Sequence, residues 1–208
     1  MCGRYWTKQC PEMDDIIDEM YRSPLIMKWN ETLPITTYGE VCPADVTAVI
    51  ASNSRGHRAV FPMRWGYKAG KLIINARVET AADKPLFRED WTRHRCIIPA
   101  SWYFEWEHKT GNDGRVYTLD KYLIQPKGDT MTWLCGLYHI EDGFPYFVIL
   151  TREPGEDIRF IHNRMPLILP EQYINDWIHP GTKPENLLPY ALTDMAFEKV
   201  VTPPDEDI

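Results

Sequence analysis

Between Val46 and Thr151 the chain breaks into eight short runs rich in Val, Ile, Tyr, Phe and Trp: residues 46–51, 58–62, 71–74, 95–98, 101–107, 116–125, 131–138 and 145–151. Runs of this length, punctuated by Gly and Asn, read as β-strands joined by turns. His108 to Arg115, with Gly111, Asn112, Asp113 and Gly114, reads as one hairpin tip, and Glu141-Asp142-Gly143 as another. Helical spacing is clear after Pro11, where Met13, Ile16, Ile17, Met20 and Tyr21 share a face and Glu12, Asp14 and Asp15 open the first turn. It returns briefly at 85–91 and 170–178. No regular strand–helix–strand alternation appears, so an α+β domain built on antiparallel sheet is expected. One domain spanning residues 1–208 is expected, with a frayed acidic tail over 202–208.

The composition, 44% hydrophobic and 25% charged, is that of an ordinary soluble domain. No apolar stretch approaches the length of a membrane span and no signal peptide is visible, so a cytoplasmic location is expected. Cys2, Cys10, Cys42, Cys96 and Cys135 are odd in number and widely spaced, which argues against a disulfide framework or a zinc site. Cys96 and Cys135 lie in apolar runs and are expected in the core. No metal, nucleotide or other cofactor is suggested, and a monomer is expected. The net charge is −7, yet residues 55–95 hold ten Lys/Arg against four acids, a local +6 on a remainder of −13. That asymmetry fits a polyanion bound at one place.

Four features carry the chemistry. Removal of Met1 would make Cys2 the N-terminus, pairing an α-amine of pKa near ~8 with a thiol near ~8.5, so both are nucleophilic near neutrality. Such a 1,2-aminothiol captures aldehydes as a thiazolidine, or attacks an amide carbonyl. The run Ile73-Ile74-Asn75-Ala76-Arg77 delivers an amide and a guanidinium to one strand face. Glu105 lies among aromatic neighbours in 102–106, where a carboxylate either pairs or has its pKa raised toward that of a proton shuttle. His162, between apolar residues and Asn163-Arg164-Met165-Pro166, is an acid–base candidate.

Taken in order, the Met-Cys-Gly-Arg start, Met63-Arg64-Trp65-Gly66, Asn75 to Thr80, Arg95 to Ala100, Phe104-Glu105-Trp106 and Ile161 to Pro166 resemble the signature blocks of the SOS-response-associated peptidase (SRAP) family. The resemblance implies a barrel-like antiparallel core flanked by a few helices. It also implies a sensor of abasic sites in single-stranded DNA that crosslinks to them through its N-terminal Cys. By that resemblance Cys2 is the nucleophile, Asn75 positions the N-terminus and opened sugar, Glu105 moves protons, and His162 assists ring opening. Arg4 and Arg77 are the implied phosphate ligands, with Arg64 and Arg164 as further DNA-binding candidates. Strand cleavage by β-elimination is a secondary expectation. Two readings from other classes remain beside it: an N-terminal-nucleophile cysteine peptidase acting on peptide bonds, and a non-covalent single-stranded DNA binder. The chain departs from the family in lacking Trp after Trp65-Gly66, where Tyr67 is the expected substitute for stacking on bases, and in carrying Trp102 where Gly is common.

Overall fold

The computed structural model describes residues 2–111 and 113–201; the expected tail at 202–208 and Asn112 of the first hairpin tip lie outside them. The chain opens with β1 (Arg4–Thr7), α1 (Pro11–Tyr21) and α2 (Leu25–Asn30). It continues through β2 (Gly39–Val41), β3 (Val46–Ser52), β4 (Arg58–Trp65), β5 (Tyr67–Ala69), β6 (Lys71–Ile73) and β7 (Asn75–Arg77). Two short helices, α3 (Val78–Ala81) and α4 (Arg88–Arg93), precede the long strands β8 (Arg95–Ala100), β9 (Trp102–Thr110), β10 (Val116–Pro126), β11 (Thr132–Glu141) and β12 (Phe144–Arg152). Short β13 (Met165–Pro166), α5 (Ile174–Ile178) and β14 (Met195–Lys199) complete it.

Five strands close into a barrel in the order β11-β8-β3-β4-β12, with β12 returning to pair with β11. Every pairing in the ring is antiparallel except β4–β12, which is parallel. The antiparallel expectation therefore holds around most of the ring, and the exception is the seam that closes it. Period-2 alternation sends Val49, Ala51, Met63, Trp65, Cys96, Ile98, Leu134, Phe147 and Ile149 into one core cluster, filling the interior. The alternate residues, including Val46, Ala48, Ile50, Val60, Ile97 and Cys135, form a second cluster outside the ring with the apolar faces of the helices. There α1 buries Met13, Ile16, Ile17 and Met20, the stripe read from the sequence.

A second, five-stranded antiparallel sheet runs in the order β14-β10-β9-β1-β2. The chain turns from the barrel into this sheet at Ser101, which is buried and bonds outward in three directions. Its N–H donates to the Trp6 carbonyl at 2.8 Å, its Oγ accepts from Lys8 N–H at 2.9 Å, and its carbonyl accepts from Thr132 Oγ1 at 2.9 Å. Tyr5 and Tyr103 face the barrel from this sheet and join its interior cluster together with Cys2. The second expected turn is present: Asp142 (φ 53°) and Gly143 (φ 75°) connect β11 to β12 with the positive φ values of a tight hairpin. Among the described residues, no helix is long and apolar enough to cross a membrane.

Candidate active site

Cys2 lies just before β1, and it is fully buried in the core cluster that fills the barrel interior. Asn75 arrives on β7, which runs parallel beside β12 with Asn75 opposite Ile149. Its Nδ2 donates to the Cys2 carbonyl at 2.8 Å, while its Oδ1 is buried without a partner among the described residues. Glu105 sits in the middle of β9, 3% exposed, on the strand face that also carries Tyr103. His162 follows the 3-10 turn Glu156–Ile158 and precedes β13.

These side chains share one electrostatic environment. Burial lifts the Cys2 thiol far above its usual range, the Glu105 charge adds to the rise, and the chain's N-terminal ammonium opposes it. Burial pushes the Glu105 carboxyl up to about 7, against the pull of the same ammonium. His162, half-buried, is lowered to about 4 by desolvation, with that ammonium contributing in the same direction. Near neutral pH Glu105 can thus both give and take a proton, whereas His162 is neutral. Its Nδ1 faces the Arg164 main chain, 3.0 Å from the Arg164 N–H and 3.2 Å from the Arg164 carbonyl oxygen, which fixes the orientation of the ring. The arrangement combines a Cys2 backbone held by Asn75, a carboxyl poised for transfer and a neutral imidazole.

Tyr103 belongs to this site and was missed in the sequence. It is fully buried, its hydroxyl has no described partner, and its pKa is held far up by burial and then by Cys2 and Glu105. The signal available was spacing, because residues two apart on a strand share a face.

The expected DNA ligands fall into different environments. Arg4 is exposed, pairs with Glu40 at 3.0 Å and lies 5.9 Å from the Trp106 ring centre. Arg77 is exposed and lines, with Asn75 and Lys84, a cavity of about 390 Å³. Arg64 is half-buried, its Nε donating to the Ala44 carbonyl at 3.0 Å. Arg164 makes a bidentate pair with Glu79, both contacts 2.8 Å, and donates to the Thr151 carbonyl at 2.6 Å. A phosphate would have to displace Glu79, so Arg164 as found braces the His162 turn. Tyr67 is a correction: it is fully buried between Phe87 and His139, and its hydroxyl donates to buried Asp90 at 2.9 Å. No base can stack on it. The 55–95 segment is likewise not one basic face, since Arg95 is buried and Arg58 is paired with Glu19.

A closed barrel capped by a second sheet, with the buried thiol of Cys2, an amide, a carboxyl and an imidazole gathered between them, defines a protein whose candidate site is built around the start of its own chain. The chain belongs to the SOS response associated peptidase (SRAP) family, whose profile matches residues 1–203. It is 32% identical to the abasic site processing protein YoaM of Bacillus subtilis, over 96% of this chain and 91% of that protein. It is 28% identical to the abasic site processing protein YedK of Escherichia coli, over 86% and 79% respectively. A crystal structure of a Bacteroides thetaiotaomicron protein shares the fold with a TM-score of 0.70 at 20% identity, covering 96% of this chain and 92% of that one.

Proposed function

We propose that this chain processes abasic sites in single-stranded DNA by capturing the open-chain aldehyde on Cys2 once Met1 has been removed. The Cys2 amine adds to the aldehyde carbon, and loss of water gives an imine. The thiol then adds across the C=N bond, sulfur to carbon and proton to nitrogen, closing a thiazolidine; aldehyde and aminothiol give adduct and one water. Glu105 supplies the proton to the departing hydroxyl and can accept the thiol's proton. His162 assists opening of the sugar ring by donating toward its oxygen, and Asn75 holds the Cys2 backbone in register. Arg4 and Arg77 are the phosphate ligands best placed in this reading.

The observation that carries it is the 2.8 Å bond from Asn75 to the Cys2 carbonyl beside a carboxyl held up to about 7. The names of the relatives support the substrate class. The test is intact mass of the processed protein after incubation with an oligonucleotide carrying one abasic site. A heat-stable one-to-one adduct mapping to Cys2, absent in Cys2→Ala, is expected; an undiminished adduct in Cys2→Ala would overturn the assignment.

A further inference from the structure

The burial of Tyr67 removes the stacking ring expected for the DNA, and a different aromatic group borders the site. Tyr122 on β10, Phe160 in the turn before His162 and Phe197 on β14 touch pairwise. Ring centres lie 5.7 Å apart for Tyr122–Phe160, 5.3 Å for Phe160–Phe197 and 6.0 Å for Tyr122–Phe197. The planes meet at 89°, 69° and 72°, the edge-to-face geometry favoured by aromatic pairs. Phe160 is 51% exposed and Phe197 43%.

Two independent links tie this group to the proposed reaction centre. Tyr122 is the register partner of Glu105 across β9–β10, so both side chains leave the sheet on the same face with Cβ atoms about 5 Å apart. Phe160 stands two residues before His162, in a turn closed by the His162 N–H bond to the Ile158 carbonyl. The aromatic cluster therefore flanks the side of the site formed by Glu105 and His162. Its size also selects its occupant. An aromatic side chain offers about 150–250 Å², so two half-exposed Phe rings present roughly 200 Å². A stable protein partner needs about 800 Å² on each side. A single planar base is matched in both area and chemistry, since every base has a face to stack on an aromatic ring.

We infer that Phe160 and Phe197, backed by Tyr122, form a shelf on which one nucleobase next to the abasic nucleotide stacks. The inference rests on the proposed function, and the two are separable by experiment. Non-covalent binding is read by fluorescence anisotropy with an oligonucleotide carrying a tetrahydrofuran abasic analogue, which has no aldehyde to capture. The base on the 5′ or the 3′ side is replaced in turn by a second tetrahydrofuran. The protein is expected to lose about tenfold in affinity when the base on one particular side is missing. Phe160→Ser/Phe197→Ser should bind both oligonucleotides equally at the weaker level, and Phe160→Trp, which keeps the packing, should retain or enlarge the dependence on that base. Retention of the full dependence in the double Ser variant, folded by its unfolding midpoint, would overturn the shelf, as would its absence in the parent protein. A parent protein that shows the dependence but gives no adduct with true abasic DNA would sink the capture chemistry alone.

Discussion

Glu105 and His162 depart from their ordinary pKa values in opposite senses, and the consequence is a stability profile that hides both. Glu105 at about 7 means that the folded chain binds more protons than the unfolded one above the ordinary carboxylate range, so stability falls as pH rises toward 7. His162 at about 4 means that the folded chain binds fewer protons between there and ~6.5, so stability rises over that window. The two slopes oppose one another between about pH 4.5 and 6.5. Glu105→Gln removes one of them. Its stability relative to the parent should increase between pH 5 and 8, by up to about 3 kcal/mol, while its own acid loss below ~6.5 becomes visible. Urea denaturation at pH 5, 6.5 and 8 measures this, and a difference that does not change with pH would contradict the burial argument. Cys2, Asn75, Glu105 and His162 were legible because each is a polar group placed in an apolar run or at a special terminus. Tyr103 was not, because an aromatic residue on a strand is ordinary core unless its hydroxyl is traced. Tyr67 misled for the converse reason: its partner Asp90 comes from a helix that no local spacing connects to it.

At the scale of elements, strands with a clean apolar run were readable, and β3, β8, β10, β11 and β12 lie where the runs lay. The helix expected at 85–91 begins later, at Arg88, because Lys84 to Phe87 forms a turn in which the Phe87 N–H bonds the Lys84 carbonyl. The expected 170–178 helix divides into a 3-10 turn, Glu171–Tyr173, and α5. The helix α2 gave no periodic signal in six residues; it is held by tertiary contact, with Trp29 buried and its Nε1 donating to the Pro62 carbonyl at 2.9 Å. Arg95 was counted as part of a basic surface but acts as an internal clamp at the start of β8. Its guanidinium donates to the carbonyls of Trp91 and Thr92 at the end of α4, and to those of Trp177, His179 and Thr182 around the end of α5. Five donors in a planar fork meet five acceptors, and Lys has three donors on a single nitrogen. Arg95→Lys should therefore cost about 3 kcal/mol, through helix-end carbonyls left buried and unpaired. A loss below about 1 kcal/mol in chemical denaturation would mean that water replaces the missing bonds.

For the whole molecule, the closure of the barrel was available only through the family resemblance, because its seam joins strands remote in sequence and nothing local marks the pairing of β4 with β12. What closure accomplishes is placement: β12 pairs with β4 on one part of its length and with β7 on another, so the strand that shuts the ring also fixes Asn75 opposite Ile149. Gly136 tests that linkage. It lies opposite Ile149 on β11, and a Cβ there would meet the Val148 carbonyl oxygen and the Ile98 Cδ1 at 2.6 Å each, with the Cys96 Sγ at 3.0 Å. The carbonyl belongs to the closing strand, so a methyl can be accommodated only by moving β12 relative to β11. Gly136→Ala is expected to cost about 1–3 kcal/mol in urea denaturation, and to slow adduct formation because Asn75 moves with β12 away from the Cys2 carbonyl. Ile140→Ala lies further along the same strand at a site 66% exposed, and should change stability by no more than about 0.5 kcal/mol. If Gly136→Ala lost stability but formed adduct at the parent rate, β12 would be holding the barrel shut without setting the position of Asn75.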